Sequence, residues 1–175
     1  MVRIIAIRVI DRIKESGHTQ KVLSKHSAII KSRLGFHELN EDKCSREAYI
    51  LLHLKNDELG EKNLMEDLDK IYGIEIKRMN PGERTGQPGT IPAGSTVAVA
   101  GLIIKNRSEI ISEVQKVLTS FGCTIRTRLG INQELNGEEM GLILLELIGD
   151  NSEMNKLIQR LNDLGDVSVR TITFG

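Results

Sequence analysis

Apolar and polar positions along the chain follow two periods, one typical of strands and one typical of helices. Eight stretches alternate or form short apolar runs rich in β-branched residues, which predicts strands: 3–10, 28–36, 49–54 and 74–79, then 96–104, 123–131, 142–148 and 167–174. Apolar residues three or four positions apart predict a helix after the first and third strand of each set. The predicted order is therefore βαββαβ, and it occurs twice.

The two sets also share identical residues. Gln20-Lys21-Val22-Leu23 and Arg33-Leu34-Gly35 recur 95 positions later as Gln115-Lys116-Val117-Leu118 and Arg128-Leu129-Gly130. Seven identities in register over sixteen positions indicate a tandem duplication. Because crossovers between strands follow a right-handed rule, each unit is expected to fold as a ferredoxin-like α+β sandwich, an antiparallel sheet with two helices on one face.

The segment Asn80–Ser95 separates the repeats and holds all three prolines of the chain, which predicts a linker. The predicted domains are repeat 1 over residues 1–79, the linker over 80–95 and repeat 2 over 96–175. The linker is either a simple connector or a lid over a site.

The first helix is predicted to differ between the repeats. In repeat 2, Asn106 and Glu109 have the spacing of a capping pair before an apolar helical face. In repeat 1 the residues aligned with that face are polar, and Gly17 lies among them. We therefore expect the helix of repeat 1 to begin late, near Ser16 to Thr19, behind a longer loop.

Alternation along a strand sorts its side chains by face. The residues predicted to face the helices of repeat 1 are Ile30, Leu34 and Phe36 on the second strand and Ile50, Leu52 and Leu54 on the third. Arg33 and His37, and Arg128 of repeat 2, then fall on the opposite, open face. Arg33 and Arg128 are either anion contacts or charges that keep an edge strand from aggregating.

Composition restricts the function classes. The 24 Lys and Arg residues balance 24 Asp and Glu, so the basic excess of a nucleic-acid-binding protein is missing. No stretch is long enough to span a bilayer, and the N-terminus has a strand pattern rather than that of a signal peptide. The two cysteines, Cys44 and Cys123, are not equivalent in the repeats, which indicates a reduced, cytoplasmic protein. We expect neither a nucleic-acid nor a membrane partner.

Two short signatures resemble a known family of regulatory domains. Both lie in a βαββαβ unit. The first is Val9-Ile10-Asp11-Arg12, followed by Gly17 and by Val22-Leu23. The second is Arg33-Leu34-Gly35-Phe36, followed by a polar hairpin. The first resembles an ACT-type regulatory domain. The second is similar to the small ACT-like family described provisionally as iron-only hydrogenase system regulators. The resemblance covers both repeats and nearly the whole chain.

This resemblance implies a non-catalytic protein that senses a ligand or a partner and pairs through its sheets or sheet edges into a homodimer. In ACT domains the effector, commonly an amino acid, lies by the loop between the first strand and the first helix, which here is Asp11 to Thr19 in repeat 1 or Asn106 to Glu109, without a glycine, in repeat 2. Exposed N–H groups of a helix N-terminus can bind a carboxylate there. The candidate ligand-binding residues are Asp11, Arg12, Gly17, His18, Arg33 and Arg128.

A second resemblance, to the C-terminal domain of the nickel-responsive repressor, implies a different function. Its metal ligands flank the same strand and hairpin, where this chain has His26, His37 and Cys44. Imidazole and thiolate suit nickel or zinc. If both histidines lie on one strand they are roughly 36 Å apart at about 3.3 Å per residue, so they would share a metal only across a subunit interface.

The function expected from the sequence is regulatory. The chain has no nucleophile elbow, zinc-protease motif or phosphate-binding loop, so an enzyme is the least supported class. We expect a cytoplasmic protein without a cofactor that binds a small effector, and the alternative is a transition-metal sensor.

Overall fold

A computed structural model describes residues 2–37, 39–40, 43–44, 46–82, 91–95, 97–135 and 138–174. The chain divides into two compact units, the first over Val2–Arg78 and the second from Met79 onward. Each unit is described below by itself.

The first unit has the predicted βαββαβ order with a small hairpin inserted before its third long strand. Its elements are β1 (Arg3–Val9), α1 (Arg12–Lys25), β2 (Ile30–Phe36), β3 (Leu39–Asn40), β4 (Lys43–Cys44), β5 (Ala48–Leu54), α2 (Glu58–Leu68) and β6 (Ile74–Met79). The four long strands form a sheet of order β2-β5-β1-β6. A 3-10 turn, Ser27–Ile29, occupies the start of the predicted second strand.

The second unit repeats this order. Its elements are β7 (Val97–Ile104), α3 (Arg107–Ser120), β8 (Ile125–Leu135), β9 (Glu138–Leu147), α4 (Asn151–Asn162) and β10 (Val167–Phe174). The sheet order is β10-β7-β9-β8, and a 3-10 turn again precedes the second strand. Helices α1 and α3 begin and end at positions 95 apart. The predicted fold class, two ACT-like ferredoxin-like repeats, is confirmed.

A core lies between the sheet and the helices of each unit. In the first unit Ile50, Leu52 and Leu54 of β5 belong to this core with Leu23 of α1 and Leu64 of α2. The face predicted for the third strand is therefore correct. Tyr49, Leu51 and His53, on the other face of β5, are also buried.

The face predicted for the second strand is wrong beyond Ile30. The pairing of β2 with β5 shifts between Ile30 and Ser32, so that Arg33 lies opposite Leu52. Residues directly opposite on paired strands share a face, and one extra residue in a strand inverts its alternation. Arg33 therefore lies on the helix face.

The same shift occurs between Ile125 and Thr127 of β8, and it places Arg128 opposite Leu145 of the core. Leu34, Phe36, Leu129 and Ile131 accordingly occupy the open face.

The late start predicted for the first helix is also wrong. Helix α1 begins at Arg12, and Gly17 lies inside it rather than in a loop. The Asp11 side chain accepts a hydrogen bond from the Ile13 amide, so a local cap starts the helix despite the polar residues that follow. In repeat 2, Asn106 is at the N-cap position, but its side chain makes no bond that caps the helix. The side-chain Nδ2 of Asn106 instead donates a hydrogen bond to the Asp166 carboxylate at 3.2 Å.

One end of the predicted linker is built into the second unit. Ile91 is buried in its core, and its backbone N–H and C=O both bond the Asn155 side chain, at 2.8 and 3.2 Å. Asn151, one turn earlier on α4, donates to the Pro92 carbonyl at 2.9 Å. Residues 83–90 of the linker lie outside the described residues, as do residues 41–42 and 136–137, where polar residues predict the turns of two hairpins.

Candidate ligand-binding site

A cavity of about 540 Å³ opens in the first unit between α1 and the sheet. Ligand pockets in proteins commonly have about 300–1,000 Å³. Residues of α1, β1, β2 and β5 line it: Val9, Arg12, Gly17, Thr19, Gln20, Arg33, Gly35, Phe36, His37, Ala48, Tyr49 and Ile50. Three of the six predicted ligand-binding residues, Arg12, Gly17 and Arg33, therefore share one cavity, together with His37.

The basic character of the cavity comes from its arginines. The Arg33 guanidinium donates a hydrogen bond to the side-chain oxygen of Gln20 on α1. A neutral amide leaves the positive charge of Arg33 uncompensated, and none of the described lining residues is acidic. An anionic group is therefore the complement of this cavity.

The same helix-to-strand bond exists in repeat 2, where Arg128 donates to Gln115 at 2.9 Å. The shared glutamine and arginine of the two repeats thus encode one structural contact, which accounts for their presence in both copies. Arg128 lies in the second unit and takes no part in the cavity of the first.

Thr19 is a lining residue of the cavity, and its hydroxyl is buried. Thr19 is 1% exposed, and its Oγ1 has no hydrogen-bond partner among the described residues. A buried polar group without a partner costs about 1–3 kcal/mol. The equivalent residue of repeat 2 is Val114, which fills its core position without a polar atom.

Gly17 is required neither by the backbone nor by packing. It does not have a positive φ, and a Cβ built on it would meet no atom within 4 Å. Glycine inside a helix destabilises it by roughly 0.5–1 kcal/mol relative to alanine. A close approach of a ligand to the helix backbone is a use for the missing side chain.

The first turns of α1 and α3 differ in their apolar residues. In repeat 2, Ile110 and Ile111 of α3 pack against the core. The aligned residues of α1 are Glu15 and Ser16. The first turns of α1 therefore lack the apolar side chains that α3 places against its sheet.

Phe36 and Tyr49 are lining residues of the cavity, but strand alternation places their rings on the open face of the sheet, away from α1. The rings of Phe36 and Tyr49 are stacked, with centroids 5.3 Å apart and planes inclined by 16°. The Tyr49 hydroxyl donates to Glu47 at 3.0 Å, and Arg8 donates two further bonds to that carboxylate, each 3.0 Å long. The hydrogen bonds from Arg8 are the main reason why the pKa of Glu47 is lower than its ordinary value. This network holds the tyrosine ring in place.

The remaining predicted ligand-binding residues lie elsewhere. Asp11 caps α1, and its second carboxylate oxygen lies 3.5 Å from the Arg46 guanidinium. His18 lines a separate groove between α1 and α2, where its Nδ1 lies 3.2 Å from a Glu15 carboxylate oxygen.

The residues predicted for a metal do not form a cluster. His26 lies at the end of α1, not on the strand, and its Nε2 is 2.8 Å from Asp67 Oδ2. Asp67 also accepts bonds from Lys25 and Lys70, and these cations, Lys25 first, hold its pKa well below the usual range. His37 lies at the cavity of the first unit. The side chain of Cys44 lies outside the described residues, and within the described part no three His, Cys, Asp or Glu side chains are arranged to hold a metal.

Sequence reasoning missed Thr19, Gln20, Phe36 and Tyr49 as site residues. A signal for Thr19 was present, since it is polar where the other repeat has an apolar helix position. Phe36 and Tyr49 could not be recognised because their place among the lining residues depends on strand pairing. Among the described residues, no helix is long and apolar enough to cross a bilayer.

The two βαββαβ units, with their antiparallel sheets and helices, define a tandem ACT-like protein. Residues 96–171, the second repeat, match the model of a family provisionally described as iron-only hydrogenase system regulators. This match confirms the resemblance to that family, which the sequence predicted. The family is described as one of regulators. No curated protein matches the chain significantly.

Solved structures that are similar to the chain include the following three. An uncharacterized protein from Thermotoga maritima is 23% identical, with a TM-score of 0.41, and the match covers 46% of this chain and 99% of that one. The acetolactate synthase small subunit from T. maritima is 10% identical, with a TM-score of 0.38 and coverage of 100% and 98%. The regulatory subunit of aspartate kinase from Thermus thermophilus is 10% identical, with a TM-score of 0.37 and coverage of 94% and 92%.

Proposed function

We propose that this protein is a non-catalytic regulator that senses a small anionic effector bound in the cavity of its first repeat. The observation that carries the proposal is the buried Thr19 hydroxyl, which has no partner among the described residues and lies in the same cavity as the uncompensated guanidinium of Arg33. A bound ligand would satisfy the hydroxyl and the charge together.

An amino acid is the ligand class that best fits these groups. Its carboxylate would pair with the guanidinium of Arg33, a bond that charge assistance strengthens. A second polar group on the ligand would pair with Thr19, and its side chain would lie against the apolar wall of Val9, Ala48 and Ile50. The ACT resemblance supports the same class, because effectors of ACT domains are commonly amino acids.

The second repeat would serve as a structural counterpart without a ligand. It retains the arginine contact, yet its helix carries Ile111 and Val114 where the first repeat has Ser16 and Thr19. We expect one effector per chain. We also expect a homodimer formed through sheets or sheet edges, because edge strands such as β2 and β6 present backbone groups for pairing.

A thermal-shift screen with the amino acids and related carboxylates tests this proposal. A ligand present at 100 times its Kd stabilises the folded protein by about 2.7 kcal/mol. A stabilisation of that size corresponds to a rise in Tm of roughly 5–10 °C for a chain of this length.

The duplication offers a matched pair of variants for this screen. Arg33→Met and Arg128→Met each remove the same bond to a glutamine of the preceding helix, so they should lower the Tm of the free protein by similar amounts. Only Arg33→Met should abolish the shift caused by the ligand. The proposal fails if no carboxylate raises the Tm of the wild type, or if both variants retain the ligand response.

A further inference from the structure

Helix α1 carries a row of basic residues on one face. Lys14, His18, Lys21 and Lys25 are all exposed. Their spacing of three or four positions places them along a single stripe of the helix. Thr19 and Leu23, which face the cavity and the core, belong to a different stripe.

A groove of about 640 Å³ lies beside this stripe, between α1 and the end of α2. Val22 and Ile71 line it and also pack against the core, so its floor is apolar. Tyr72, at one end, is 93% exposed. Ile10 is 52% exposed and lies near this end, since its amide donates to the Gly73 carbonyl at 2.9 Å. Large exposed apolar groups beside a groove are typical of interaction sites.

The groove carries surplus positive charge. Asp67 and Glu15 are its acidic lining residues, and Lys25, Lys70 and His26 already surround the Asp67 carboxylate. Glu15 lies against His18. Among the described residues, the ammonium groups of Lys14 and Lys21 therefore have no acidic partner.

The equivalent surface of repeat 2 lacks these features. At the offset of 95, α3 has Glu109, Glu113 and Ser120 where α1 has Lys14, His18 and Lys25. The caps of α2 and α4, Asp57 and Asp150, are 93 positions apart, and at this offset Gly165 corresponds to Tyr72. Lys116, the counterpart of Lys21, is paired with Glu113 at 2.6 Å. Common ancestry of the repeats therefore does not account for the basic stripe or for the exposed tyrosine.

We propose that this groove is the docking surface for an acidic amphipathic helix of another protein. An apolar side chain of the partner would insert between Val22, Ile71 and Tyr72, and flanking carboxylates would pair with Lys14 and Lys21. Amphipathic helices bind grooves in this way, with one apolar face and a charged border. A nucleic acid fits less well, because a phosphate backbone offers no apolar group for the floor formed by Val22 and Ile71, and a flat anionic membrane fits a concave groove less well than a helix does. This proposal is independent of the effector cavity.

Fluorescence anisotropy with a defined probe tests the proposal on the full chain. The probe is a labelled helical peptide of about 18 residues, or five turns, with leucine and tryptophan on one face and glutamate on both borders. The same peptide with glutamine in place of glutamate, a single-stranded oligonucleotide and phosphatidylserine vesicles are the other arms. We expect the acidic peptide to bind at least about tenfold more tightly than the glutamine peptide, a difference of about 1.4 kcal/mol.

Variants locate the binding on this surface. Lys21→Glu and Tyr72→Ala should each raise the Kd of the acidic peptide about tenfold or more, as expected for an anchor residue and for a reversed charge. Lys116→Glu, at the equivalent position of repeat 2, should leave the Kd unchanged. All three side chains lie at the surface, and an unchanged Tm shows that the fold is intact.

Three results would overturn the proposal. The first is equal binding of the acidic and glutamine peptides, or no binding of either. The second is a Kd that Lys21→Glu and Tyr72→Ala leave unchanged. The third is tighter binding of the oligonucleotide or of the vesicles, which would assign the basic stripe to a phosphate-bearing partner.

Discussion

Replacing Thr19 by valine should change stability and ligand affinity in opposite directions. The substitution keeps the branched shape of the side chain and removes the hydroxyl. The valine at position 114 of repeat 2 is fully buried in the equivalent helix position, so the new side chain suits this packing. Most substitutions in a core weaken the fold, which makes a gain in stability here a specific expectation.

The expected gain in stability follows from the cost of burying a hydroxyl that has no hydrogen-bond partner. An unsatisfied buried polar group costs about 1–3 kcal/mol, so Thr19→Val should raise the free energy of unfolding of the ligand-free protein by about 1–2 kcal/mol. A hydrogen bond from the hydroxyl to a bound ligand contributes about 0.5–1.5 kcal/mol. Loss of that bond corresponds to a Kd that is about 2- to 13-fold higher.

Urea unfolding followed by tyrosine fluorescence measures the change in the free energy of unfolding, and its signal comes from the structural unit that contains position 19. The chain has no tryptophan and only two tyrosines, Tyr49 and Tyr72, which both lie in repeat 1. With an m value of about 2 kcal/mol per molar urea, the midpoint should rise by roughly 0.5–1 M. Calorimetric titration with the effector found in the screen gives the Kd. Val114→Thr, the reverse change in repeat 2, is the control and should leave the Kd unaltered.

A lower unfolding midpoint for Thr19→Val would refute the reasoning, since it would mean that the hydroxyl stabilises the free protein through a bond of its own. An increase in stability with an unchanged Kd would remove Thr19 from the ligand site.

The other predictions concern the helix glycine, a buried histidine, the linker and the metal alternative. Gly17→Ala should stabilise the free protein by about 0.5–1 kcal/mol and weaken effector binding, whereas Ser112→Ala should leave binding unchanged; urea unfolding and calorimetry measure both. Burial, and secondarily Lys31, lowers the pKa of His53 to about 4. The unfolded chain therefore takes up this proton first, and stability should fall by up to about 3 kcal/mol as the pH decreases from about 6.5 to 4. This loss should be absent in His53→Leu, and equal acid sensitivity of the two proteins would contradict it. Ile91→Ala should destabilise the second unit by about 2–5 kcal/mol in circular-dichroism melts, because it empties a core position; a change near zero would mean that the segment only connects the repeats. Nickel and zinc should not raise the Tm, and a rise that His26→Ala abolishes would favour the metal sensor.

Local sequence patterns determined the order of the long strands and helices, and the duplication supported that order twice. Period-two and helical periodicity predicted the long strands and the helices, because each element must place its apolar side chains on one side. The repeated glutamine and arginine marked a shared feature, but the sequence left its nature open between an anion contact and an edge charge.

Tertiary structure decided which side of the sheet those residues occupy. One extra residue after Ile30 shifts the pairing with β5, and a shift of one position exchanges the two faces of a strand for every residue that follows. No pattern within β2 itself reveals that shift, since it depends on how the neighbouring strand pairs. The shift brings Arg33 to the helix side, against Gln20 and in the same cavity as Thr19, and so the candidate cavity exists only in the folded chain.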